Sequence, residues 1–139
     1  MNVLVDTCVW SLALRRSSPQ DSPVVKELRE LISEQRVVML GPVRQEILSG
    51  IREETHFLRL MEHLRAFPDA LLEQHDFESG AEFFNTCRRN GVQGSNTDFL
   101  MCAAAIRLNI PIFTTDADFL GYSRFIPLSL HTTRASCST

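Results

Sequence analysis

Gly94-Ser95-Asn96-Thr97-Asp98-Phe99-Leu100-Met101-Cys102-Ala103-Ala104-Ala105-Ile106-Arg107 starts polar and continues apolar. Phe99, Cys102, Ala103 and Ile106 recur at helical spacing, so the stretch predicts a helix with one side buried. Three successive alanines favour helix and let another backbone approach closely. Ser95 reads as the N-cap, which puts Asp98 at N3, where an acid can complete a capping box. Asp98 also stands at the rim of the buried surface. A carboxylate there can be held rigidly and still reach solvent. Beyond Asn109, Ile110-Pro111-Ile112-Phe113-Thr114 reads as a strand. A helix feeding a short apolar strand is one step of an α/β alternation, and the rest of the chain repeats it.

Working outward, Asn2 to Val5 is a short apolar run suited to a strand buried on both faces, with Asp6 at its C-terminal end. Thr7 to Leu14 continues as a short helix anchored by Val9, Trp10 and Leu14, and Ser17 to Ser22 is a loop. Ser22-Pro23 opens a helix, serine as N-cap and proline at the first helical position, with Val24, Leu28, Leu31 and Ile32 as its stripe. Arg36 to Leu40 is a second strand. Gly41-Pro42 ends it and starts a helix that carries Glu46 and stops at Gly50. Glu53 to Ala66 forms a further helix through Phe57, Leu60, Met61 and Leu64. Pro68 to Leu72 is a short third strand. Asp76 caps a helix running to Asn90-Gly91, a good C-terminal stop, with Phe77, Ala81, Phe84 and Cys87 following its turns. Phe125 to Leu130 is a fifth strand, and 132–139 form a short polar tail. Strands alternating with helices predict an α/β architecture with a mostly parallel sheet.

The totals agree. A chain of 139 residues with 44% hydrophobic and 22% charged residues is sized for one domain with a single core. A net charge of −3 argues against a protein coated in basic residues, though it leaves room for a local basic groove. No apolar run reaches the roughly 18 residues that span a bilayer, and the N-terminus lacks the basic region of a signal peptide; a cytoplasmic protein with no membrane role is expected. Cys8, Cys87, Cys102 and Cys137 form no C-x-x-C pair and read as free thiols. The four histidines show no metal-ligand spacing.

The acids carry the chemistry. Asp6 ends the first strand, Asp116 ends the strand after the Asp98 helix, and Glu46 lies on the helix after the second strand. The carboxyl ends of parallel strands share one edge, where ligands bind. Asp6, Glu46 and Asp116 therefore belong on one side of the molecule; Asp98 reaches it only through packing. Each acid alone has an ordinary reading. Asp6 can form a turn, Glu46 can favour a helix dipole, Asp116 can cap a helix and Asp118 can be a solvated acid. Together, crowded carboxylates call for a cation, and an all-oxygen set suits Mg²⁺ or Mn²⁺. Such an ion can activate a water and stabilise an in-line phosphodiester displacement.

These residues resemble a known family. Val3-Leu4-Val5-Asp6-Thr7-Cys8-Val9-Trp10 is similar to the opening motif of PIN-domain ribonucleases, in particular VapC-type toxins of toxin–antitoxin pairs. Glu46-Ile47-Leu48-Ser49-Gly50, Asp98-Phe99-Leu100-Met101-Cys102-Ala103-Ala104-Ala105 and Phe113-Thr114-Thr115-Asp116-Ala117-Asp118-Phe119 resemble the later motifs, in order along the chain. The resemblance implies a PIN-like fold with a five-stranded, mostly parallel sheet between helices, occupying 1–131 as a single nuclease domain. It implies an endoribonuclease whose Asp6, Glu46, Asp98 and Asp116 hold Mg²⁺ or Mn²⁺ and form the catalytic site. Thr7 and Thr114 would orient the pocket, and Asp118 matches a commonly acidic position. An RNA substrate, an inhibitory antitoxin protein and a homodimer are implied as partners. Cys8 departs from the usual serine, and a thiol is the poorer hydrogen-bonding group.

RNA also asks for positive charge, for which Arg15, Arg16, Lys26, Arg44, Arg52, Arg88, Arg89 and Arg124 are candidates; for any single one a solvated helix face is the simpler reading. The competing function is a catalytically inactive PIN-like module that binds RNA or protein. An idle cluster of carboxylates would be costly to keep ionised. A phosphatase of the D-x-D type is disfavoured because Cys8 stands where the second acid belongs.

Overall fold

The computed structural model describes residues 1–14 and 22–134. Its centre is β1 (Val3–Val5), every residue of which is buried. Parallel neighbours flank it on both sides: β2 (Val37–Val38), with Val3 opposite Val37, and β3 (Ile112–Phe113), with Val5 opposite Phe113. The order is β2-β1-β3. The chain thus leaves β1 for one side and returns on the other. That makes the carboxyl ends of β1 and β3 a switch point, the place where open parallel sheets leave a crevice.

The five-stranded sheet expected from the sequence is corrected to three strands. The two outer segments are present as extended chain, each joined by a single parallel bridge, Met39 to Asp69 and Ile112 to Leu130. Both contain proline, Pro68 and Pro127. Proline cannot donate to a ladder and is confined to edges, so pairing there stops after one bridge.

Between β1 and β2 run α1 (Thr7–Leu14) and α2 (Pro23–Ser33). Pro23 opens α2 as expected, but Ser22 makes no side-chain cap hydrogen bond. The stripe of α2 is turned from the expected one: Val25, Glu27, Leu28 and Leu31 are buried, and Ile32 is exposed. Between β2 and β3 come α3 (Gly41–Ser49), α4 (Glu54–Leu64), α5 (Gln74–Arg89) and α6 (Asn96–Leu108). Gly41-Pro42 starts α3 directly off β2, and Gly50 caps it. Asp76 is not the cap of α5. The helix starts three residues earlier, at Gln74 with Glu73 as N-cap, and Asp76 at N3 completes a capping box by accepting the Glu73 backbone N–H.

Helix α6 is the inner helix. Phe99, Met101, Cys102 and all three alanines are buried, which goes beyond one face. The small residues let α5 close on it. A Cβ at Gly80 of α5 would lie 3.4 Å from the Leu100 backbone of α6, so glycine sets that approach. Asn109 ends α6 in the left-handed conformation, φ 56°, which asparagine tolerates better than most residues. A short α7 (Asp118–Tyr122) closes the carboxyl edge of the sheet. Arg134, near the chain end, is drawn onto α2 by Glu27 and Glu34. The loop expected at Ser17 to Ser22 falls largely outside the described residues, as do Arg15, Arg16 and Cys137. Among the described residues no helix is long and apolar enough to cross a membrane.

Candidate active site

Asp6 follows the last residue of β1 and is buried at the switch point. Its carboxylate is held on both oxygens. The Thr7 backbone N–H donates to Oδ1 at 2.7 Å, the Thr114 hydroxyl to Oδ2 at 2.8 Å, and the Cys8 thiol to Oδ2 at 3.3 Å. Thr114 is the residue after β3, so this single carboxylate ties the ends of the two strands together.

Cys8 takes part despite its weaker hydrogen bonding. Its sulfur accepts the Thr115 backbone N–H at 3.4 Å and the Thr115 hydroxyl at 3.3 Å. The thiol therefore links the start of α1 to the loop after β3. Asp116 stands on that loop, its N–H donated to the Thr114 hydroxyl oxygen at 3.0 Å. Its Oδ1 accepts the Asp118 N–H at 2.9 Å; the N-cap of α7 is Ala117, not Asp116 as expected. Glu46, exposed on α3, accepts the Thr7 hydroxyl at 2.7 Å.

Asp98 arrives from α6. Ser95 is the N-cap, its hydroxyl accepting the Asp98 N–H at 3.1 Å as the sequence predicts. The Asp98 side chain takes a different partner, the Tyr122 hydroxyl of α7, which donates to Oδ2 at 2.7 Å. Burial raises the Asp98 carboxyl above the usual range. The Tyr122 and Ser95 hydrogen bonds offset this in part, and the charges of Asp6 and Asp116 push it up further.

One open cavity of about 710 Å³ is lined by Asp6, Thr7, Cys8, Glu46, Asp98 and Asp116, together with Pro42, Gln45, Ser49 and Thr97. The four acids singled out in the sequence thus come from four separate places in the chain to one concavity, Asp98 included. Thr114 lies behind Asp6, and Asp118 is exposed and not part of the lining. Among the described residues no basic side chain lines the cavity, and their field there is negative.

The donor chemistry fits a hard divalent ion, since among the described residues the acidic side chains facing the cavity are met by no basic one. Among the described residues no group of three or more His, Cys, Asp or Glu side chains could hold an ion by itself. Mg²⁺ keeps several waters and binds through one or two carboxylates plus substrate phosphate.

A PIN domain family model matches residues 3–124. The chain belongs to the PIN domain family. Solved structures share the fold. A chain of FitAcB from Neisseria gonorrhoeae superposes with a TM-score of 0.75 at 20% identity, over 94% of this chain and 96% of that one. A chain of VapBC2 from Rickettsia felis, bound to a DNA fragment from the promoter, gives 0.74 at 16%, over 94% and 98%. VapBC-1 from nontypeable Haemophilus influenzae gives 0.71 at 16%, over 94% and 97%. At such identities the likeness is one of fold. A search of the curated proteins returns no match.

In this PIN domain the sequence reading missed two residues that support Asp98 from behind the cavity. Tyr122 reaches Asp98 from 24 positions away, and no local pattern announces that pairing. Gly94 faces the Tyr122 ring, a closeness only the packed structure displays. Two of the candidate phosphate-binding arginines have other work. Arg44 binds Asp69 and the carbonyls of Leu64 and Phe67, which fastens α3 to the end of α4. Arg124 lies over the Phe125 ring at 5.4 Å.

Proposed function

We propose that the protein is a Mg²⁺- or Mn²⁺-dependent endoribonuclease, the toxin of a toxin–antitoxin pair. The observation that carries this reading is the meeting of Asp6, Glu46, Asp98 and Asp116 around one open cavity at the sheet's switch point. Membership of the PIN domain family supports a nuclease, and the fold shared with FitAcB and the VapBC complexes supports a toxin.

These four carboxylates would hold the ion, which when bound neutralises charge on the scissile phosphodiester and activates a water. Asp6 is the fixed member, oriented by Thr7, Thr114 and Cys8 before any ligand arrives. Glu46 is exposed but aimed by the Thr7 hydroxyl, so it can adjust as RNA enters. The openness of the cavity suits a polymer that passes through. With no cationic side chain among the described residues of its lining, the cavity would also accept a basic side chain from an antitoxin, which would displace the ion and silence the site.

A homodimer is part of this proposal. Leu58, Phe77 and Leu120 are 49%, 55% and 62% exposed, apolar surface that a second copy could cover. Light scattering on the purified chain at micromolar concentration should give twice the monomer mass; a monomer would remove that element. The function itself is tested by calorimetry with Mn²⁺. Wild type should bind, while Asp6→Asn and Glu46→Gln should each weaken binding at least about tenfold. Binding unchanged in both variants would refute the assignment of the pocket.

A further inference from the structure

We propose that Tyr122 positions the Asp98 carboxylate for ion binding, and that glycine is required at position 94 for it to do so. The inference rests on the reading of Asp98 as an ion-holding residue. Tyr122 is fully buried, its ring packed against Phe99 at 4.7 Å and Phe119 at 5.1 Å between centroids. The ring is therefore fixed, and so is its hydroxyl, which donates to Asp98 Oδ2 at 2.7 Å. A carboxylate's terminal torsion is broad and roughly two-fold. Asp98 at a cavity wall would otherwise sample many orientations. With Oδ2 engaged, the plane of the carboxylate is set. The carboxylate also lines the open cavity, where it can meet a cation.

Gly94 makes this arrangement possible. A Cβ there would lie 2.2 Å from the Tyr122 hydroxyl oxygen, 2.6 Å from Cζ and 2.9 Å from Phe99 Cε2. None of these is the end of a flexible side chain. They are atoms of two buried rings that brace each other, so any side chain at 94 must drive the tyrosine off Asp98. Gly94 immediately precedes the N-cap of α6. The turn that presents Asp98 and the space for its partner are thus encoded within five residues.

A buried hydroxyl could equally be satisfied by Asp98 for stability alone. In that case Tyr122→Phe would alter stability and leave ion binding unchanged. Tyr122 is the chain's only tyrosine, so protein labelled with carbon-13 at tyrosine Cζ gives one resonance reporting on this hydroxyl. In metal-free protein that resonance should move in Asp98→Ala. In wild type it should move on adding Mg²⁺, and in Asp98→Ala it should not. Tyr122→Phe keeps the ring and should retain the wild-type circular dichroism. Its Mn²⁺ affinity by calorimetry should fall about tenfold, with kcat falling and KM for RNA unchanged. Gly94→Ala should reproduce the loss; if it does not fold, Tyr122→Phe decides alone. Wild-type Mn²⁺ affinity in Tyr122→Phe, or a tyrosine resonance indifferent to Mg²⁺, would overturn the proposal. Affinity lost in Tyr122→Phe from a wild type that cleaves no RNA would uphold it and defeat the nuclease reading instead.

Discussion

At Asp6 three hydrogen bonds converge from Thr7, Cys8 and Thr114, residues that the chain brings together across 108 positions. The thiol is the weakest of these donors yet the best connected, because it also accepts from Thr115. Replacing it tests whether connection or chemistry matters. Cys8→Ser supplies a stronger donor and acceptor and should cleave RNA at least as well as wild type. Cys8→Ala removes the link and should lower kcat about tenfold; equal rates for all three proteins would show the hub to be idle. Asp98 carries the opposite kind of strain. Its carboxyl is raised by burial and by Asp6 and Asp116. The folded protein therefore disfavours its charge, a penalty present at neutral pH and relieved as pH falls through the raised value. Asp98→Asn keeps an acceptor for Tyr122 and loses the charge. In the absence of divalent ions it should melt at a higher temperature than wild type at pH near 7, and a lower Tm would contradict the sign. The Ser95 cap was legible because capping is local. The Tyr122 partnership was not, because it joins two helices through packing.

Among the elements, those set by local signals came through with their bounds nearly intact. Gly41-Pro42 and Gly50 frame α3, Asn90-Gly91 end α5, and the alanine run makes α6. Periodicity misled where tertiary contact decides which side is in. On α5 the apparent stripe through Phe77 and Ala81 is exposed, while Asp76 and Gly80 are buried. The reason is an ion pair. Asp76 is fully buried and meets Arg107 of α6 at 2.8 Å, with Glu73 and the Leu71 carbonyl completing the guanidinium's contacts. An acid that looks like a helix cap is in fact the tie between the two central helices. Arg107→Met leaves that carboxylate buried and unpaired, and should cost about 3 kcal/mol in urea unfolding. Arg89→Ala, at an exposed position on α5, should stay within about 0.5 kcal/mol. Equal effects would mean that the pair carries no special weight. The outer strands failed for the reason given by Pro68 and Pro127: extended chain at an edge needs only one bridge to stay in place.

At the scale of the molecule two groups of acids stand apart. Glu27 and Asp76 are buried away from the cavity. Burial raises each, but their partners outweigh it: His131 and Arg134 for Glu27, Arg107 and the Glu73 N–H for Asp76, so that both carboxyls sit below their ordinary values of 4.5 and 3.8. The unfolded chain takes up these protons first as pH falls. Their stabilisation is complete above about pH 4.5 and is lost as pH drops through the folded values. Urea midpoints should therefore be flat from neutral pH to about pH 5 and fall steeply below about pH 4, with a shallower fall in Glu27→Gln. A flat acid limb would contradict this. The second group, Asp6, Glu46, Asp98 and Asp116, shares a cavity with no cationic side chain among the described residues to offset it. That division, structural acids paired and cavity acids unpaired, is visible only in three dimensions; the sequence shows the motif residues and their order. The most direct test of the account is cleavage of total cellular RNA and tRNA by the purified, antitoxin-free protein, with and without Mn²⁺, wild type against Asp98→Asn. The account predicts Mn²⁺-dependent cleavage by the wild type and none by a variant that folds normally. Cleavage that survives in Asp98→Asn, or a wild type that neither binds Mn²⁺ nor cuts any RNA, would contradict it.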